Sequence, residues 1–298
     1  MHAGSSGTLV CGDRPWVVAH RGAWGEAPQN SLQAFEDAVS LGCDAVEIDV
    51  RRTSDGRLVV VHDARIGGRS VAASEHGELR ARSGDDRPHT LEEVLERLAG
   101  RIAVDIELKE DGYVELAMAQ IARRLEPDQY VLTSFIDGVL DAARRAVPDI
   151  TSGLLLHAGE TIEVVRSRLA SAPTSDRPYP GQTQAKGRRR ERGNGQGRER
   201  GNGQGREPGN AQGKARGRER DLARRVAAAK VDFLAPHASL TRAGILAWAA
   251  QHELPTWVWT VNDARSLRAL LRDDRVTAVI SDRPARAIAL RPGSGGRA

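Results

Sequence analysis

The chain has little cysteine, no long apolar run and, over one stretch, almost no large apolar residue. Two cysteines, Cys11 and Cys43, occur in 298 residues, which excludes a disulfide framework and a cysteine metal cage, so both are expected to be free thiols. No apolar run approaches the ~20 residues that cross a bilayer, and Met1 to Trp16 has neither the basic start nor the apolar middle of a secretory signal. A soluble, cytoplasmic protein with no stable membrane anchor is the expectation. From Ala172 to Arg220 the residues are largely Gly, Arg, Gln, Asn and Pro. Such a segment cannot build a core and is expected to be a disordered insertion.

That segment also explains the charge. Between Lys186 and Arg220 there are twelve Lys or Arg and four Glu, an excess of eight positive charges in a chain whose net charge is +4. The remainder is therefore mildly acidic, and the high isoelectric point describes the insertion rather than a nucleic-acid-binding fold. Arg198 to Gly205 repeats the octet before it, and no aromatic residue interrupts the basic run. Polyanion or RNA binding through this segment stays open as an alternative with weak support, because stacking residues are missing.

Outside the insertion, short β-rich apolar runs alternate with helical patterns. Trp16 to Ala19, Ala45 to Val50, Ile102 to Glu107, Tyr130 to Ser134, Ser152 to Leu156, Asp232 to Ala235, Thr256 to Val261 and Ala278 to Ser281 make eight. Eight β/α units predict a single α/β domain, a (β/α)8 TIM barrel over 16–290. An arm over 1–15 and a tail over 291–298 flank it, and 172–220 interrupts it between the fifth and sixth strands. Helix signals fit the gaps: Asn30-Ser31 caps Leu32 to Leu41, and Thr90 with Glu93 forms a capping box. Thr161 to Ala170 and Asp221 to Ala229 are helical in pattern on either side of the insertion.

One run stands outside the count. Leu58 to His62 follows Val50 after seven residues, too few for a parallel crossover. A hairpin turning on Asp55-Gly56 is predicted instead, with Asp49 opposite His62.

Glu47 and Asp49 lie two apart on one strand, so both face the same side. Flanking Val46, Ile48 and Val50 argue that this side is buried and not a solvated face, and a divalent cation would relieve the repulsion between two buried carboxylates. Glu107 and Lys109 repeat the spacing on the next strand. Glu107 offers a third oxygen, while Lys109 is placed for a phosphate oxygen or, alternatively, for an ion pair with Glu107 or Asp105. His20 ends the first strand before Arg21-Gly22, and His62 is a second imidazole. A lone strand-end histidine is more often structural, but two beside three carboxylates point to acid and base chemistry.

Several ordered motifs then resemble the glycerophosphodiester phosphodiesterases: His20-Arg21-Gly22, Pro28-Gln29-Asn30-Ser31, Glu47-Ile48-Asp49-Val50, Thr53-Ser54-Asp55-Gly56, Val60-Val61-His62-Asp63, Leu91-Glu92-Glu93-Val94 and Ile106-Glu107-Leu108-Lys109. Trp257 to Asn262 and Ile280 to Pro284 are similar to that family too. The resemblance implies metal-dependent hydrolysis of glycerophosphodiesters to glycerol 3-phosphate and an alcohol. Glu47, Asp49 and Glu107 would hold Ca²⁺ or Mg²⁺, His20 and His62 would be the acid and base pair, and Arg21 and Lys109 would bind phosphate. Trp259 is expected as a wall for the glycerol or as a core residue. Attack by water and attack by the glycerol 2-hydroxyl are both compatible with this set, and a lysophospholipid or phosphoinositide is an alternative substrate. Gln29 departs from the family's usual Glu, which removes a carboxylate near the site but preserves a possible hydrogen bond to Arg21.

Overall fold

The computed structural model describes residues 13–25, 27–82, 88–157 and 222–293. Cys11, the insertion at 172–220 and the helical pattern at 161–170 lie outside them. The barrel belongs to one compact unit, residues 1–159 with 225–298.

Eight parallel strands form where the β-branched and apolar runs predict them: β1 (Trp16–His20), β2 (Ala45–Arg52), β7 (Ala103–Leu108), β8 (Tyr130–Ser134), β9 (Ser152–Leu156), β10 (Phe233–Pro236), β11 (Trp257–Val258) and β12 (Ala278–Ser281). Their order is β10-β9-β8-β7-β2-β1-β12-β11. Isolated parallel bridges, Leu234 to Thr256 and His237 to Trp259, join the two ends into a barrel. Alternate residues of each strand fill its interior: Val18, Ala45, Val131, Leu155, Phe233, Ala235, Trp257, Ala278 and Ile280 pack together. The opposite faces meet helices, as where Val17, Val258 and Val279 pack with Leu267, Leu270 and Ala287.

The helices begin where their capping residues predict. Helix α1 (Leu32–Ser40) is capped by the Ser31 hydroxyl, which accepts from the Ala34 amide, and it buries Ala34, Phe35 and Ala38. Asn30 is not part of that cap; its side chain turns to the barrel interior, as described below. Between β6 (His89–Thr90) and β7, α3 (Leu91–Leu98) carries the reciprocal Thr90/Glu93 capping box. Residues 222–229, the described part of the second helical pattern, are helical.

Strand β3 (Leu58–Val60) pairs antiparallel with β2, as the short spacing requires, but in a register one residue from the predicted one. Val50 faces Val60 and Arg52 faces Leu58. The connection is three residues, Ser54-Asp55-Gly56, closed by Thr53 N–H to Arg57 C=O at 2.9 Å and Gly56 N–H to Thr53 C=O at 3.0 Å. Gly56 takes the left-handed conformation at φ +81°, the αL position of a three-residue hairpin, so Ser54 belongs to the turn and not to the ladder. Asp49 consequently lies opposite Val61, whose N–H donates to the Asp49 carbonyl at 2.8 Å. His62 comes one residue later, beyond the end of β3. After it the chain forms a small hairpin, β4 (Arg65–Ile66) with β5 (Arg69–Ser70), and then α2 (His76–Arg82). Val71 and Leu79 from this excursion pack on Val59.

Candidate active site

The parallel register gathers the acidic residues at one end of the barrel. Strand β1 sets His20 beside Glu47, and β7 sets Asp105 beside Glu47 and Glu107 beside Asp49. Donor atoms of Glu47, Asp49 and Glu107 all lie within 4.8 Å of one another, and the three residues are 4%, 0% and 7% exposed. Such crowding of buried carboxylates needs compensating charge. Part of it comes from Lys109, whose Nζ lies 2.9 Å from Asp49 Oδ1 and 2.7 Å from Glu107 Oε1. It therefore reaches the two outer acids and not Asp105. Asp105 accepts instead from the Thr133 hydroxyl at 2.7 Å, and burial pushes its carboxyl up to about 7.

Arg21 supplies a second cation through a sharp change of direction after β1. Arg21 and Gly22 both take positive φ, +60° and +87°. A β-carbon on Gly22 would lie 2.8 Å from Ala34 of helix α1, so glycine is required both by conformation and by space. The turn aims the Arg21 N–H at Glu47 Oε2, at 2.9 Å, and brings the guanidinium to 3.2 Å from Asp49 Oδ2. Gln29 accepts from Arg21 Nη1 at 2.7 Å, the bond that an amide can keep. Asn30, itself at φ +58°, donates from Nδ2 to Asp49 Oδ2 at 2.8 Å.

These contacts divide the carboxylates unequally. Burial disfavours charge on Asp49, but Lys109 and Arg21, with His62 and His20 behind them, outweigh it and hold that carboxyl well below its usual range. Glu47 is driven well above its range by burial and then by Asp49 and Glu107, against which Arg21 is insufficient. Its Oε1 is buried without a hydrogen-bond partner among the described residues. A buried acceptor left over within an all-oxygen cluster fits a hard divalent cation.

Both imidazoles lie near enough to Asp49 to act on its charge, in different settings. His20 Nδ1 lies 2.6 Å from Asp282 Oδ1, and its Nε2 is 3.9 Å from Glu47 Oε2. Burial lowers its pKa against the pull of Asp282. Asp282 is in turn held by Asn262, whose Nδ2 donates to its Oδ2 at 2.7 Å while Asn262 Oδ1 accepts from the Asp282 N–H at 2.9 Å. His62 is more open, with Nδ1 2.8 Å from Asp63 Oδ1. Burial brings it down to about 4, opposed by Asp49 and reinforced by Lys109 and Arg21. The antiparallel return thus carries His62 to the acids despite the shifted register.

Across the mouth, the ends of strands β8 to β11 present rings. Trp259 donates from Nε1 to the Ala235 carbonyl at 2.7 Å, and its ring meets the edges or faces of Phe135 at 5.5 Å, His157 at 6.2 Å and His237 at 5.1 Å. It is half-buried and packs on the barrel core, the second of the two places expected for it. Asp282 and Asn262 stand within motifs singled out above but carried no expected role, whereas Asn30, expected at the cap of α1, holds Asp49 instead. Cys43 is a buried free thiol, pushed up to about 12 chiefly by burial.

The profile of the Glycerophosphoryl diester phosphodiesterase family matches residues 20–163. An uncharacterized Bacillus subtilis protein, YqiK, is 30% identical over 179 residues, covering 53% of this chain and 73% of the relative. A glycerophosphodiester phosphodiesterase of Bacillus altitudinis is 32% identical over 163 residues, covering 47% of this chain and 65% of the relative. Among solved structures, an Oleispira antarctica phosphodiesterase in complex with the product sn-glycerol-3-phosphate superposes with a TM-score of 0.65 at 20% identity, over 93% of this chain and 96% of that one. That last likeness is one of fold.

Proposed function

Because the chain belongs to the glycerophosphoryl diester phosphodiesterase family, we propose that the acidic end of its barrel hydrolyses a glycerophosphodiester to glycerol 3-phosphate and an alcohol. The observation that carries this reading is the convergence of two imidazoles, two cations and three buried carboxylates, with Glu47 Oε1 left without a hydrogen-bond partner among the described residues. Glu47, Asp49 and Glu107 would hold Ca²⁺ or Mg²⁺, which supplies charge withdrawal from a phosphate oxygen. Arg21 and Lys109 present their cationic groups beside the same acids and bind the phosphate, Arg21 with a planar fork and Lys109 as a point charge. His20, with its Nδ1–H donated to Asp282, keeps Nε2 unprotonated and able to take a proton from the attacking hydroxyl. His62 is the second member of the pair and, once protonated beside the anionic phosphate, gives that proton to the departing alkoxide. Trp259 and the rings around it form the wall for the organic part of the substrate. Among the described residues no helix is long and apolar enough to cross a membrane, and the proposed substrates are deacylated head-group diesters.

The test is a metal-supplemented screen of glycerophosphocholine, glycerophosphoethanolamine, glycerophosphoglycerol, glycerophosphoinositol and a lysophospholipid, with the phosphorylated product identified. Glycerol 3-phosphate from at least one deacylated diester, lost on EDTA treatment and regained with Ca²⁺ or Mg²⁺, is the expected result. Release of a phosphorylated head group, or turnover that survives exhaustive chelation, would refute it.

A further inference from the structure

We propose that Arg51 is a positioning residue for His62, acting through the main chain that carries the imidazole; the inference rests on the role given to His62 above. Arg51 lies two residues beyond Asp49 on β2, and its side chain is buried, 5% exposed. A guanidinium in such a place needs partners on every side. It has two in divergent directions. Nε donates to the carbonyl of His62 at 2.8 Å, and Nη1 is paired with the Glu110 carboxylate.

The position of that first bond is what matters. The β2–β3 ladder ends at Val60, and the Val61 N–H to Asp49 bond extends it by one residue. His62 is the next residue, where the strand no longer fixes the backbone. Its side-chain contact is to Asp63, which is 63% exposed, and a pair so open to water restrains little. The Arg51 bond therefore sets where the Cα of His62 sits relative to Asp49.

The second bond ties the same guanidinium to the loop that carries Lys109. Glu110 follows Lys109 directly, and its N–H donates to the Tyr113 hydroxyl at 3.3 Å, while that hydroxyl donates to the Val50 carbonyl at 2.6 Å. Tyr113 is 2% exposed, so this anchor is rigid. Arg51 thus locks the His62 segment and the Lys109 segment to one strand, and a lysine ammonium lacks the fork that spans both acceptors.

A merely structural arginine would lower stability without acting through His62, and a double-mutant cycle separates the two. The full-length chain with metal is compared as wild type, Arg51→Met, His62→Ala and the double variant, on the diester turned over fastest, with circular dichroism and thermal unfolding as folding controls. A misplacement of about 1 Å costs on the order of 10²-fold, so Arg51→Met is expected to lose about 10- to 100-fold in kcat with KM within about threefold. In the His62→Ala background the same substitution is expected to cost less than about twofold. An equal loss in both backgrounds, or wild-type kcat in Arg51→Met, overturns the proposal. If Arg51→Met does not fold, Arg51→Lys, which preserves charge, enters the same cycle with the same criteria. Wild-type turnover by His62→Ala would instead remove the role on which the inference rests, and the inference with it.

Discussion

Replacing Asp282 by asparagine should harm the enzyme more than deleting the side chain, and the hydrogen bonds around it explain why. Asn262 cannot flip. Its Oδ1 accepts from the Asp282 N–H at 2.9 Å and from the Ser281 hydroxyl at 3.2 Å, so its Nδ2 faces residue 282 and donates there at 2.7 Å. In Asp282→Asn the new amide must turn its oxygen toward that donor, which leaves its own NH₂ facing His20 Nδ1, now 2.6 Å from a carboxylate oxygen. Nδ1 can then only accept, and the ring proton moves to Nε2, the nitrogen directed at Glu47. The proposed base is then blocked by its own proton. Wrong-tautomer substitutions of this kind cost about 10⁴-fold in kcat, or about 5 kcal/mol in activation free energy. Asp282→Ala loses the orienting bond but leaves the tautomer free, a loss of about 10- to 100-fold.

The same logic supplies a rescue. In Asn262→Asp/Asp282→Asn, residue 262 can accept the amide NH₂, so that the oxygen of residue 282 returns to His20. We expect this double variant to exceed Asp282→Asn by at least about tenfold, well inside the about 100-fold gap between the two losses above. Initial rates of glycerol 3-phosphate release, with thermal unfolding to confirm the fold, measure all four proteins. Asp282→Asn as active as Asp282→Ala, or a double variant no better than Asp282→Asn, would refute the assigned tautomer.

Two further predictions concern the barrel itself. A β-carbon at Gly153 would lie 2.2 to 2.7 Å from ring carbons of Phe233, on the adjacent strand of the interior. Gly153→Ala should destabilise by about 1–3 kcal/mol, as overpacked cores do, and adding Phe233→Leu should recover part of it; an unchanged melting temperature in Gly153→Ala would contradict the packing. Glu36 joins helices α1 and α3, with Arg101 Nη1 and Nη2 at 2.7 and 2.8 Å and Arg97 Nε at 2.5 Å. The Arg101 hydrogen bonds lead in holding its carboxyl down to about 2 from 4.5. A depressed carboxyl stabilises the fold above its unfolded pKa, and that contribution fades as pH falls from about 4.5 toward 2. Being partly solvent-screened, it is worth about 1 kcal/mol or less. Glu36→Gln should therefore lower the denaturation midpoint at pH 7 by more than at pH 3, and a gap independent of pH would exclude the ion pair as its cause.

How much of this was legible follows from the range over which each feature is encoded. Helix α3 begins where Thr90 and Glu93 say it must, because a capping box is complete within four residues. The Glu47 and Asp49 pair was readable for a similar reason, since strand alternation alone puts both on one face. The hairpin was readable in kind but not in register. Asp55-Gly56 suits both a two-residue turn and the last part of a three-residue one, and choosing between them depends on whether Gly56 is the αL residue that closes the loop. Asp282 was opaque as a partner of His20, because the two residues lie 262 positions apart and meet where the first barrel strand pairs with the last, β1 against β12. Arg51 was opaque for a different reason: in sequence it is one charged residue at the end of a strand, and its burial becomes visible once Glu110 is seen to answer it.

That distribution has a chemical consequence. The groups with formal charge occupy neighbouring strand ends, β12, β1, β2 and β7, with the hairpin returning His62 to the same side. Strands β8 to β11 bring Phe135, His157, His237 and Trp259 to the facing side, and burial lowers the pKa of His237 as well. A phosphodiester is itself divided this way, a charged centre carrying organic groups. In the proposed reaction, fixed charges crowded on one arc would act together on the phosphate at short range, where little water intervenes to screen them. The ring-lined arc would offer its surface to the organic groups. On that reading, substitutions on the β8 to β11 side are expected to change substrate preference while the acids, cations and imidazoles, interlocked through Asp49, Asn30, Arg21 and Lys109, stay in register.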